Sequence, residues 1–186
     1  MSLREQSISA GARSDARELR NAFARFATGV AVVTTRAADG QLKGVTANSF
    51  SAVSLDPPLV LWSLRRNAPS LQSFAGSTHF AVNVLAADQI GVSHRFAQPH
   101  HDKFRGITCA IGLGGCPLID GALAVFECAV EQQIEGGDHV IFLGKLCRAA
   151  YRDGDPLLFN AGRYCTVSPV GPDELSCSPQ PDLETR

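Results

Sequence analysis

A chain of 186 residues, 45% hydrophobic and 19% charged, is long enough for one globular domain with a core of its own and too apolar for general disorder. Its 17 basic and 18 acidic residues leave a formal net charge of -1, which gives no electrostatic footprint for nucleic acid or for an anionic membrane surface. No apolar run approaches the roughly 20 residues of a membrane span, and MSLREQSISAGARSD lacks the apolar middle of a signal peptide, so a cytoplasmic location is expected.

Residues 1–14 are small and polar and read as a flexible tail, followed by one domain over 15–167 and a Pro-rich tail over 168–186. DARELRNAFARFATG opens the domain as a helix. Asp15 can cap it, Glu18 sits at the capping-box position, Leu19, Ala22, Phe23 and Phe26 form one apolar stripe, and Gly29 can end it. VAVVTTR is a strand that runs into the hairpin signal Asp39-Gly40, and a second strand starts at Lys43. Asp56-Pro57-Pro58 interrupts extended structure, which LVLWSL resumes. PSLQSFAG then forms a short helix, THFAVNVL a strand and AADQIGVSHRFA another short helix. After a loop-rich stretch, ALAVFECAVEQQI and HVIFLGKLCRAAY form two long strands joined by EGGD, and PLLFNAGRYCTV supplies short ones. Many hairpin-linked strands with few short helices predict a β-rich α+β fold, an antiparallel split β-barrel of Greek-key type with short peripheral helices.

Several chemistries have no signature here. The chain has no P-loop, no GxSxG elbow and no HExxH helix, and GLGGCP (112–117) has Pro117 where a dinucleotide fingerprint needs its third glycine. Cys109, Cys116, Cys128, Cys147, Cys165 and Cys177 include no CxxC pair and have no histidine at zinc-ligand spacing, so they read as buried thiols and small apolar fillers, with no metal site. His100 and His101 have no recognisable pairing. Trp62, the one tryptophan, reads as a core or dimer contact.

What remains is the polar centre of KGVTANSFSAVSLDPPLVLWSL (43–64), with Thr46, Asn48, Ser49 and Ser51 and no charge. Small hydroxyl and amide side chains beside an irregular strand can hydrogen-bond the edge of a flat heterocycle such as a flavin and let the ring lie against the backbone. A strand with one solvent face would use the same residues, and this segment alone leaves both readings open. GGDH (136–139) is a hairpin turn whose Gly136, Gly137 and Asp138 tolerate positive φ.

FATGVAVVTT, GVTANSFSAVSLDPPLVLWSL, FAVNVL, HDKF, GDHVIFLGKL and GRY, in that order over about residues 20–167, resemble the flavin reductase family with the FMN-binding split barrel. The resemblance implies a homodimer that binds FMN or FAD and reduces it with NADH or NADPH, often for a separate monooxygenase component. It implies that Thr46, Ala47, Asn48 and Ser49 line the isoalloxazine edge, with Thr34 beside the same ring. The turn SLRRNAPS would take the ribityl and phosphate portion through Ser63, Leu64, Asn67 and Ser70. Ser63, Asn67 and Ser70 can donate hydrogen bonds, and free amides are expected at the helix start after Pro69. Arg65 and Arg66 could add charge there. Lys103 would be a second phosphate partner, with Phe104 packing beside it. His139, the catalytic candidate, would orient the nicotinamide or buffer charge near the flavin. Tyr164 would stack on a cofactor ring at the nicotinamide site or close the barrel end.

The expected function is therefore NAD(P)H-dependent hydride transfer to flavin N5, with alignment supplied by the protein. Two alternatives share the fold: a tightly bound flavoprotein that reduces another acceptor, such as a corrinoid, disulfide or quinone, and a flavin-binding module without turnover.

Overall fold

The computed structural model describes residues 16–99 and 102–168. The expected tail 1–14, the Asp15 cap, His100, His101, Cys177 and all of the expected tail 168–186 beyond Ser168 lie outside the described residues. In chain order the described elements are α1 (Ala16–Phe23), β1 (Thr28–Gly29), β2 (Ala31–Arg36), β3 (Leu42–Ala47), β4 (Ser51–Leu55), β5 (Pro58–Arg65), α2 (Leu71–Ala75) and β6 (His79–Val84). They continue with α3 (Ile90–Ala97), β7 (Cys109–Ile111), β8 (Pro117–Ile119), β9 (Ala124–Gly136), β10 (His139–Tyr151), β11 (Leu158–Asn160) and β12 (Arg163–Cys165).

Seven strands pair antiparallel in the order β3-β2-β6-β9-β10-β5-β4, β1-β11-β12 form a second sheet, and β7-β8 a separate hairpin. This is the β-rich, antiparallel split-barrel architecture expected, with helices at the periphery. β3 and β4 are consecutive in sequence yet end at opposite edges of the large sheet. The chain turns between them at Asn48–Phe50. There the Ser49 hydroxyl accepts from the Ser63 amide at 3.0 Å and donates to the Ser63 carbonyl at 3.2 Å. The corner after β3 is thereby fastened to β5.

β2 explains the unbroken apolar run of its sequence. Val32 and Val33 are both fully buried but belong to different clusters, because successive side chains leave a strand on opposite faces. Val33 joins Trp62, Phe74, Phe80, Val82, Cys128 and Phe142, where Trp62 stacks on Phe142 at 4.8 Å and meets Phe74 edge-on at 4.9 Å. Trp62 is thus core rather than a dimer contact. Val32 joins Leu85, Phe96, Ile119 and Leu157.

The first helix is shorter than expected. Beyond Phe23 the amides of Arg25 and Phe26 bond three residues back, the Ala24 carbonyl accepts from Ala161, and Thr28 already pairs with Phe159. Strand pairing with β11 claims the chain before Gly29 can end a helix. Much of the apolar stripe stays open within the described residues, with Phe23 71% and Phe26 78% exposed while Leu19 is half-buried. The Asp39-Gly40 hairpin forms as expected, with Gly40 at φ 82°. In the GGDH turn only Gly137 takes a positive φ, at 67°.

Candidate functional site

β3 is an edge strand, paired with β2 on one side only. The Lys103 ammonium reaches its open side, donating to the Gly44 carbonyl at 3.3 Å and to the Phe96 carbonyl near the end of α3 at 2.8 Å. In an antiparallel strand the N–H and C=O of one residue point to the same side and alternate along the chain. The amides of Leu42, Gly44 and Thr46 therefore also face the open edge. A row of unpaired sheet-edge amides beside a cation is an anion-binding arrangement.

This edge floors a cleft of about 590 Å³. Ala68, Pro69 and Ser70 form one wall, and Phe96 to Pro99 with Lys103 form the other. Ser70 holds the N-cap position of α2 without a capping hydrogen bond from its side chain, which leaves its hydroxyl to the cleft. The Leu71 amide, however, donates to the Ala68 carbonyl at 3.0 Å, so that amide expected for a phosphate is taken. Burial holds the Lys103 ammonium below its usual lysine range. Size, an apolar body and a few convergent donors suit a planar ligand with an anionic tail, and a flavin phosphate fits that donor set.

Of the segment expected to line the ring, Thr46 and Ala47 end β3 and lead away from the cleft floor. The Thr46 hydroxyl donates to the Ser93 carbonyl at 2.7 Å, and the Ser49 hydroxyl is held by Ser63. Ala47 packs against the Trp62 cluster, and Asn48 is exposed at the corner. Part of the polarity of this stretch thus fastens the chain reversal. Phe104 meets Phe96 edge-on at 5.0 Å behind Gly44. Asn67 is exposed in the turn between β5 and α2.

Two expected site residues are placed in the core. Thr34 is fully buried, donates to the Pro117 carbonyl at 2.6 Å and accepts from the Asn83 amide group at 3.3 Å. Asn83 in turn accepts from the Ile119 amide at 2.7 Å, so the pair fastens β8 over β2 and β6. Leu64 is buried in the Trp62 cluster. Neither side chain is open to a ligand in this arrangement, because each faces inward from its strand.

The GGDH hairpin sits against the SLRRNAPS turn. The Arg66 amide donates to the Asp138 carbonyl at 2.9 Å and its guanidinium Nε to the Gly137 carbonyl at 2.7 Å, while Arg66 also pairs with Glu135. That occupies Arg66 and sets the hairpin beside the turn that carries Ala68 and Ser70 into the cleft. His139 Nδ1 lies 2.7 Å from Asp138 Oδ1. That hydrogen bond, then the imidazole's charge, holds the exposed Asp138 carboxyl below the usual carboxylate range. An ionised carboxylate only accepts, so the proton is on Nδ1 and Nε2 is left for another partner. Tyr164 instead packs on α3, with its hydroxyl 2.8 Å from the Ser93 Oγ and its ring on His94 and Phe159.

The cysteines divide. Cys116 and Cys128 are buried, and burial pushes their thiols up to about 11 and about 12. Cys147 and Cys165 are exposed, against the expectation that all are fillers. No cluster of three potential metal ligands occurs among the described residues, and no described helix is long and apolar enough to cross a membrane.

Sequence reasoning missed Gly44, Phe96 and Ser93. The first had a legible signal, since an isolated glycine inside a strand marks close approach of another group. A Cβ on Gly44 would lie 2.5 Å from Phe96 Cε1.

Residues 23–168 match the flavin reductase like domain. The FMN reductase (NADH) SmoA of Agrobacterium fabrum is 45% identical over 150 residues, which cover 81% of this chain and 85% of that protein. The reductase component of the flavin-dependent trigonelline monooxygenase of Acinetobacter baylyi is 42% identical over 86% of this chain, which spans only 52% of that longer relative. Among solved structures, the NADH:FAD oxidoreductase SgcE6 of Streptomyces globisporus, in complex with NAD and FAD fragments, superposes with a TM-score of 0.79. It is 41% identical and covers 83% of this chain and 94% of that one.

Proposed function

The chain belongs to the flavin reductase like family, and from that premise we propose that it is an NADH-dependent flavin reductase that supplies reduced flavin to a separate monooxygenase. The observation that carries the reading is the cleft along the open edge of β3, with the Lys103 ammonium and the Ser70 hydroxyl on its two walls. Lys103, Ser70 and the Gly44 amide hold the flavin phosphate. Thr46 to Ser49 let the flat ring approach the backbone at the corner after β3, where small side chains leave room and Asn48 offers its amide. Ser63 acts by fixing Ser49, and Asn67 lies on the path between ring and phosphate. His139, oriented by Asp138, presents Nε2 toward the nicotinamide. Tyr164 acts through Ser93 to hold α3 against β3.

The chemistry a bound flavin supplies is acceptance of a hydride from NADH at N5. The protein's part is alignment, which accounts for a site without a nucleophile or a paired-carboxylate acid and base. Two copies pair as a homodimer, a reading supported by the uncovered Phe23 at the end of α1, by Phe26 just beyond it and by Leu55, 80% exposed on the edge strand β4.

The deciding assay is NADH consumption by the purified protein with and without added FMN, FAD or riboflavin. Consumption that saturates with free flavin is expected. A protein that binds flavin but oxidises no NADH in its presence would refute the reductase reading.

A further inference from the structure

The cleft does not stop at the residues that would hold one phosphate. It continues along the β3 edge from Gly44 to Gln41, three residues or about 10 Å of strand. Its outer part carries a second cation, Lys43, whose ammonium donates to Gln41 Oε1 at 2.8 Å. That bond uses the oxygen of the Gln41 amide and leaves its NH₂ as a donor. Leu42 and Pro99 add apolar surface on the same stretch. Sheet-edge amides continue there, since Leu42 shares the outward phase of Gly44.

We propose that this outer half takes the adenylate half of FAD, so that the enzyme prefers FAD to FMN. The inference rests on the reading of the inner cleft as the flavin phosphate site. Two lysines in sequence along one cleft match a pyrophosphate. Lys103 meets the phosphate next to the ribityl chain, and Lys43 meets the second. The nucleoside then lies against Leu42 and Pro99, with the Gln41 NH₂ available to a ring nitrogen. FMN ends at Lys103 and leaves Lys43 without a ligand.

NADH also carries an adenylate, so the test separates the two sources. Binding of FMN and of FAD is titrated separately by flavin fluorescence on the wild type, Lys43→Met and Lys103→Met, and the KM for NADH is measured alongside. The wild type is expected to bind FAD about ten-fold more tightly than FMN, the size of one charge-assisted contact. Lys43→Met should remove most of that preference and leave FMN affinity within about two-fold, whereas Lys103→Met should weaken both flavins. Equal wild-type affinities, or equal loss of both flavins in Lys43→Met, would overturn the proposal and leave the flavin site standing. A Lys43→Met effect confined to the KM for NADH would overturn it in favour of the donor. Failure of the wild type to bind either flavin would instead sink the site reading itself.

Discussion

Lys103 concentrates the electrostatics of the site. Its stem is buried between β3 and α3, and desolvation lowers its affinity for a proton below the ordinary value of 10.5. A lysine lowered in this way loses its charge earlier than a surface lysine as pH rises. The affinity advantage of FMN over riboflavin should therefore fall as pH rises, and should do so at a lower pH than a lysine with the ordinary value of 10.5 would give. Lys103→Met should reduce that advantage by about ten-fold near neutrality and flatten its pH dependence. Fluorescence titrations of both flavins as pH is raised check this, and a ratio indifferent to Lys103 would remove it from the phosphate site. At this scale the sequence names residue types and does not say which way they point. Thr34 and Asn48 are both small polar residues on or near strands, yet one is tied to Pro117 in the core and the other is open to solvent.

The contact of α3 with β3 fixes the shape of the cleft. Phe96 lies directly over Gly44, Phe104 supports it, and Ser93 receives Thr46. A Gly44→Ala methyl would lie 2.5 Å from Phe96 Cε1 and 3.2 Å from Phe104 Cζ. Overpacking of this kind costs about 1–3 kcal/mol. Urea denaturation should show that loss, flavin affinity should fall with it, and Phe96→Leu in the same chain should restore part of both. Unchanged stability in Gly44→Ala would mean that α3 does not press on the strand. The hairpins, β6 and both long strands were legible because their signals are local: Asp39-Gly40, Gly136-Gly137 and alternating apolar residues. The end of α1 was not, because pairing of Thr28 with Phe159, 131 residues away, decided it.

At the scale of the whole molecule, the proposed homodimer draws on apolar groups left uncovered among the described residues. Phe23 and Phe26 on one side of the chain's start, with Val53 and Leu55 on edge strand β4, are large side chains exposed at 44% or more. Sedimentation of the purified protein at micromolar concentration should give twice the chain mass, and Phe23→Ser with Phe26→Ser should shift it toward the single chain. A monomeric wild type would refute the homodimer. The sequence by itself determined the antiparallel, hairpin-linked sheet. It also supplied the family's ordered motifs. These follow from turn chemistry and alternation acting over a few neighbouring residues. Only the tertiary structure decided that Lys103 meets Gly44 across 59 residues, that Thr46 answers to Ser93 across 47, and that Thr34 and Leu64 turn inward. A strand's pattern says that its faces differ, but which face meets a core and which edge stays open depends on where distant segments come to rest.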